Sequence, residues 1–307
     1  MKVSDVVFDD LIQLYKKLPE NLDLYLAESE SKFEDITANT DKKIIWHSAQ
    51  SQKTNLSFVY IHGYSATRQE ISPLVENLAM RFSANAFFTR LSGHGRSSSA
   101  MTEITLEKLL IDTVEAFRIG ERIGERVVIV ANSTGATLAT WLAATLKQDN
   151  LAALILLSPN YGLQRKVTEL LTYPFASRIL PLIFGKTYQF EASGELQEKY
   201  WTTSYPTTAL IPMMSAVKLA RHCNLQNILH PVFFLYSEED GLLDIQAINT
   251  TFDKIGSEQK SLQKIESTQG KTHHVLAGDI QSPATTGVVE RKIVEFLMTN
   301  ILCKTIR

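Results

Sequence analysis

A chain of 307 residues, 44% apolar and 21% charged, is long enough to bury one large core and has the balance of a folded protein. Its formal net charge of −2, with no long basic run, excludes the concentrated Lys/Arg footprint that nucleic-acid binding needs. Cys223 and Cys303 are too few for a disulfide framework, and the longest apolar runs are far too short to span a bilayer.

The first predicted element is an amphipathic helix over residues 3–18, where Val3, Val6, Val7, Leu11, Leu14 and Leu18 recur at three- and four-residue steps. Pro19 ends it. Asp5, Asp9 and Asp10 break the apolar stretch a secretory signal requires and give the helix a polar face that anionic lipid would repel. The helix is therefore expected to pack on the main domain, and the location to be cytoplasmic. With the charged residues 20–43 it makes an N-terminal helical leader over 1–43.

Short apolar runs follow at 58–61, 86–90, 127–131, 152–158, 232–236 and 262–266. Helical stretches lie between them near 70–82, 106–120, 134–146 and 245–255, and 288–298 reads as a closing helix. Such alternation predicts the α/β class, a mostly parallel sheet with helices on both faces. Its core would be 44–159 with 226–307. The interval 160–225 lacks a buried strand yet carries Leu170, Leu171, Phe175, Ile179, Leu180, Leu182, Ile183, Phe184, Tyr200, Trp201, Leu210, Ile211, Met213 and Met214. It reads as an inserted helical cap over one end of the sheet.

Ligands of open α/β sheets bind at the carboxyl ends of the strands, so residues just after the apolar runs are the ones to weigh. After 127–131 comes Asn132-Ser133-Thr134-Gly135 and then a helical run, a strand–turn–helix with a serine at its apex. That arrangement resembles the G-x-S-x-G nucleophile elbow with Ala131 in place of the first glycine, and the helix N-terminus would favour an oxyanion beside the serine. After 58–61 comes His62-Gly63-Tyr64, from which the Tyr64 N–H, with that of Thr134, is assigned as the oxyanion hole; His62 reads as a structural loop histidine. Asp240 is chosen from the acidic turn after 232–236 because it precedes Gly241, with Glu238, Glu239 and Asp244 as competitors. His274 is preferred over His273 because it adjoins Val275 and Leu276. Adjacent histidines do not converge on one ion, and no metal-binding motif accompanies them, so no metal is expected.

The order Ser133, Asp240, His274 is the nucleophile–acid–base order of α/β-hydrolases. His62-Gly63-Tyr64 with Thr67–Glu70, the segment Leu91-Ser92-Gly93-His94-Gly95-Arg96-Ser97 and the segment from His274 to Asp279 together resemble bacterial carboxylesterases and monoacylglycerol lipases of that superfamily. The resemblance covers roughly 44–297 and is weakest across 160–225. It implies the α/β-hydrolase fold with an eight-stranded sheet, a helical cap and a serine-esterase mechanism without a cofactor. The expected substrate is a small-molecule acyl ester, of short to medium chain or like a monoacylglycerol. A thioester or carbon–carbon substrate on the same triad, or a non-catalytic binding protein of this fold, are the alternatives. Asn132 before the serine is shared with carbon–carbon hydrolases, but their longer glycine-rich segment after the first His-Gly is missing.

Overall fold

Val59 and Ile61 alternate with Phe58 and Tyr60 along one strand, and all four are buried, so this strand has a core on each side. The computed structural model describes residues 18–49, 51–146, 148–165, 168, 175, 176, 178, 181, 182 and 185–302. Among them the strands are β1 (Lys43–Ile45), β2 (Thr54–Ile61), β3 (Asn85–Phe88), β4 (Gly124–Asn132), β5 (Leu151–Leu157), β6 (Thr187–Gln189), β7 (Ser204–Pro206), β8 (Val232–Tyr236) and β9 (Lys260–Lys264). Seven of them form one sheet in the order β1-β3-β2-β4-β5-β8-β9, parallel except for the β1–β3 pair. This is the α/β-hydrolase fold.

The helices are α1 (Leu22–Glu30), α2 (Leu74–Arg81), α3 (Leu106–Ile123), α4 (Thr134–Thr145), α5 (Glu195–Tyr200), α6 (Leu210–His222), α7 (Ile245–Lys254) and α8 (Pro283–Leu297). Side chains of α1, α3, α4, α6 and α7 fill the core on one face, against Val59, Ile61, Ile129 and Ala131. Those of α2 and α8 fill the other, against Phe58, Tyr60, Val128 and Val130.

Three expectations need correction. The main sheet has seven strands among the described residues rather than eight, because the chain ahead of β1 is helical: Asn21 caps α1 by accepting the Leu24 N–H at 3.0 Å, and Leu22 and Leu26 enter the core. β9 starts two residues earlier than its apolar run suggests, since an edge strand with half-exposed side chains is set by its ladder to β8 and not by an apolar run. α8 starts at Pro283, five residues ahead of the expected helix, with proline in the first turn where its missing N–H costs nothing.

The charged stretch before β1 is built into the fold. Glu30 receives the Arg90 guanidinium as a fork, Nε to Oε2 at 2.7 Å and Nη2 to Oε1 at 2.8 Å. Lys42 Nζ and the Tyr25 hydroxyl both reach the Glu115 carboxylate at 2.5 Å. The Phe33 ring lies under both Arg90 and Arg96. The helix expected over 3–18 lies, except for Leu18, outside the described residues, as do Cys303 and Leu170, Leu171, Ile179, Leu180, Ile183 and Phe184.

Between β5 and β8, the described residues form α5, α6 and the small antiparallel pair β6–β7. Ala216 and Ala220 bury one side of α6 in the main core, while Met213, Met214 and Val217 form a separate apolar cluster against Tyr64, Leu163 and Leu210. No helix among the described residues is long and apolar enough to cross a membrane.

Candidate active site

β4 ends at Asn132 and α4 begins at Thr134, so Ser133 alone makes the reversal, at φ 52° and ψ −117°. A non-glycine residue held there costs about 1–3 kcal/mol, which the packing around it must supply. The Ser133 N–H donates to the Leu157 carbonyl at 2.9 Å, and its carbonyl accepts the Asn160 N–H at 3.2 Å. Both contacts come from the end of the neighbouring strand β5. Gly135 permits the close approach of α4 to β2: a Cβ there would lie 2.1 Å from the Ile61 carbonyl oxygen and 2.7 Å from that of His62. The Ala131 side chain is fully buried, which suits the position that glycine takes in the elbow pattern.

Asp240 and His274 come together from the loops after β8 and β9, with His274 Nδ1 2.7 Å from Asp240 Oδ2. The other oxygen of Asp240 accepts the Leu242 and Leu243 N–H groups at 2.8 and 3.0 Å. Burial opposes the charge on Asp240, but the His274 charge and hydrogen bond and those two N–H groups hold its carboxyl below the usual range. Burial likewise opposes an imidazolium at His274, and the Asp240 charge and hydrogen bond, with a further contribution from Glu70, raise it above its ordinary 6.5. Nδ1 engaged with Asp240 leaves Nε2 as the atom able to take a proton. Ser158 ties this loop to the neighbourhood of Ser133, donating its hydroxyl to the His274 carbonyl at 2.6 Å from the end of β5.

The competing side chains are engaged elsewhere. Glu238 pairs with Lys264, Glu239 lies 3.4 Å from His273, and Asp244 caps α7 through the Gln246 N–H at 3.1 Å. His273 also contacts the Thr268 carbonyl at 2.8 Å.

The turn after β2 carries Tyr64, whose N–H and that of Thr134 donate to no backbone acceptor among the described residues. The Tyr64 hydroxyl donates to the Ala209 carbonyl, and the Ser65 carbonyl accepts the Thr202 N–H at 2.7 Å, so this turn is fastened to the β5–β8 interval at two points. His62 is fully buried, its Nε2 accepting the Leu91 N–H at 3.1 Å and its Nδ1 2.8 Å from the Gly63 carbonyl. Burial, with His94 and Arg90 nearby, lowers its pKa to about 3, which keeps it neutral and structural. Sequence reasoning gives no role to Glu70, which is buried under the same turn; nothing at the start of an expected helix distinguishes one glutamate as buried. Among the described residues no three His, Cys, Asp or Glu side chains converge as a metal ion would require.

Residues 52–278 match the profile of a family described as serine aminopeptidase, S33. No curated protein matches the chain significantly by sequence. The fold is similar to one of the metagenome-derived lipolytic enzymes LipS and LipT, with a TM-score of 0.69 at 18% identity, covering 85% of this chain and 98% of that one. It is also similar to monoglyceride lipase of Saccharomyces cerevisiae, in a complex with a substrate analogue, with a TM-score of 0.63 at 13% identity over 85% of this chain and 92% of that one. The monoacylglycerol lipase of Paleococcus ferrophilus gives a TM-score of 0.59 at 14% identity, covering 84% and 98%. At these identities the likeness is one of fold.

Proposed function

The chain belongs to the serine aminopeptidase S33 family of hydrolases, and from that premise we propose that it cleaves a carboxylic ester through an acyl-enzyme on Ser133. Two observations carry this reading: the 2.7 Å Asp240–His274 hydrogen bond, and a serine held in a strained elbow at the end of β4.

In this reading His274 Nε2 takes the Ser133 proton as Oγ attacks the acyl carbonyl, and buried Asp240 stabilises the imidazolium that forms. The Tyr64 and Thr134 N–H groups meet the developing oxyanion, each such donor being worth about 3 kcal/mol. His274 then gives its proton to the leaving alkoxide, and water repeats the sequence on the acyl-enzyme. The acyl chain is assigned to the apolar cluster of Met213, Met214, Val217 and Leu163, which packs against Tyr64 and so adjoins the oxyanion turn. An acyl ester of short to medium chain, or a monoacylglycerol, suits such a lining.

The test is hydrolysis of a chain-length series of p-nitrophenyl esters by the wild type and Ser133→Ala. Turnover by the wild type with a preferred chain length, lost in the folded variant, supports the reading. A folded Ser133→Ala protein with wild-type turnover overturns it.

A further inference from the structure

The triad accounts for one buried carboxylate beside His274. A second one, Glu70, is left over. It lies in the loop between β2 and α2, where Ile71 is a buried anchor, and only 2% of it is exposed. Its Oε2 accepts the Gly63 N–H at 2.7 Å and the Tyr60 hydroxyl at 2.8 Å. A Cβ on Gly63 would lie 2.7 Å from Glu70 Oε1 and 3.2 Å from Ser133 Cβ, so the carboxylate and the nucleophile flank the same glycine. The Asn132 amide lies against Glu70 without a hydrogen bond of ordinary geometry. The next residues fasten to the histidine loop, where the Asp279 N–H donates to the Ser72 carbonyl at 2.9 Å.

Taking a carboxylate out of water costs several kcal/mol, and an apolar side chain would fill this space at less expense. What the carboxylate does here is receive the N–H of the residue ahead of Tyr64. An oxyanion donor is effective only when held in its working direction before the reaction starts. The Tyr64 peptide is held at both ends, through Gly63 by Glu70 and through the Tyr64 hydroxyl by Ala209.

Resting on the hydrolase reading, we propose that Glu70 is a positioning residue: it fixes the oxyanion turn through the Gly63 N–H. The titratable groups facing it are the Tyr60 phenol from β2 and His274 from the loop after β9, with Glu76 of α2 acting on Tyr60. His274 itself is faced by Asp240 and Glu70. Burial pushes the Glu70 carboxyl up, while the Gly63 N–H, the Tyr60 hydroxyl, the His274 charge and Asn132 pull it back.

The experiment compares E70A and E70Q by steady-state kinetics on the best p-nitrophenyl ester across a pH series. A whole oxyanion donor is worth about 10²–10³ in kcat, so loosening one in E70A should lower kcat roughly tenfold to a hundredfold, with KM within about twofold. Glutamine keeps an acceptor for Gly63 and Tyr60, so E70Q should recover most of kcat. An E70A kcat equal to the wild type, or an E70Q kcat no higher than that of E70A, overturns the proposal. If neither variant folds, Tyr60→Phe loosens the same carboxylate: a kcat lowered severalfold at constant KM supports the role, and wild-type kcat counts against it. A wild type that neither turns over esters nor reacts with a fluorophosphonate would overturn the hydrolase reading instead.

Discussion

Asp240 and Glu70 are both carboxylates withdrawn from water, yet their affinities for protons move in opposite directions. Asp240 receives two backbone N–H groups on one oxygen and the imidazole on the other, and is held below its usual range despite burial. Glu70 receives one backbone N–H and one phenol, both on the same oxygen, and burial prevails. Burial alone therefore does not decide the state of these two carboxylates; the donors aimed at each do. Glu30, buried as well, is met by a guanidinium fork. Asp240 is a charge that supports His274, Glu70 an anchor under a turn, and Glu30 a rivet for the N-terminal segment.

The comparison breaks first at Asp240. Asp240→Asn should keep the fold and lower kcat about 10⁴-fold, the cost of losing the carboxylate that orients and supports the base. In the proposed mechanism His274 must be neutral to act, and its pKa is raised above 6.5, so activity should fall as pH drops through a value above 6.5. In the Asn variant the residual activity should persist to lower pH. Steady-state kinetics from pH 5 to 9 (about the useful range around a histidine) read both effects.

Arg90→Ala tests the rivet. It leaves Glu30 buried without its fork and should cost about 3–5 kcal/mol in urea unfolding, while the folded fraction keeps its turnover. Gly63→Ala forces a Cβ to within 2.7 Å of Glu70 Oε1, so it should cost about 1–3 kcal/mol of stability and lower kcat more than it raises KM. The smallest effect is expected from Tyr64→Phe, which removes only the hydroxyl's bond to Ala209; about 0.5–1.5 kcal/mol and a severalfold lower kcat should follow.

How much of the molecule is legible in the sequence depends on the reach of each interaction. Ser133 and Asp240 each follow an apolar run, and a run of that kind marks a strand by itself; His274 follows β9, which carries only a weak one. β9 is an edge strand, and Lys260, Ser261, Gln263 and Lys264 carry no apolar signal, so its start lies two residues ahead of where the pattern places it. The stretch before β1 reads as a polar leader because Glu30 and Lys42 meet partners 60 and 73 residues away. Glu70 is hidden for a related reason: its burial comes from a turn folding back over it, and periodicity does not record that. Asp240 can be preferred among its neighbours by the following glycine, but the bond to His274 becomes visible only in three dimensions.

The most direct test of the central claim is reaction of the folded protein with a fluorophosphonate, followed by peptide mass mapping, with Asp240→Asn in parallel. The account predicts one adduct, on Ser133, formed rapidly in the wild type and slowly in the variant. An adduct on another residue, or none on the folded wild type, would contradict it.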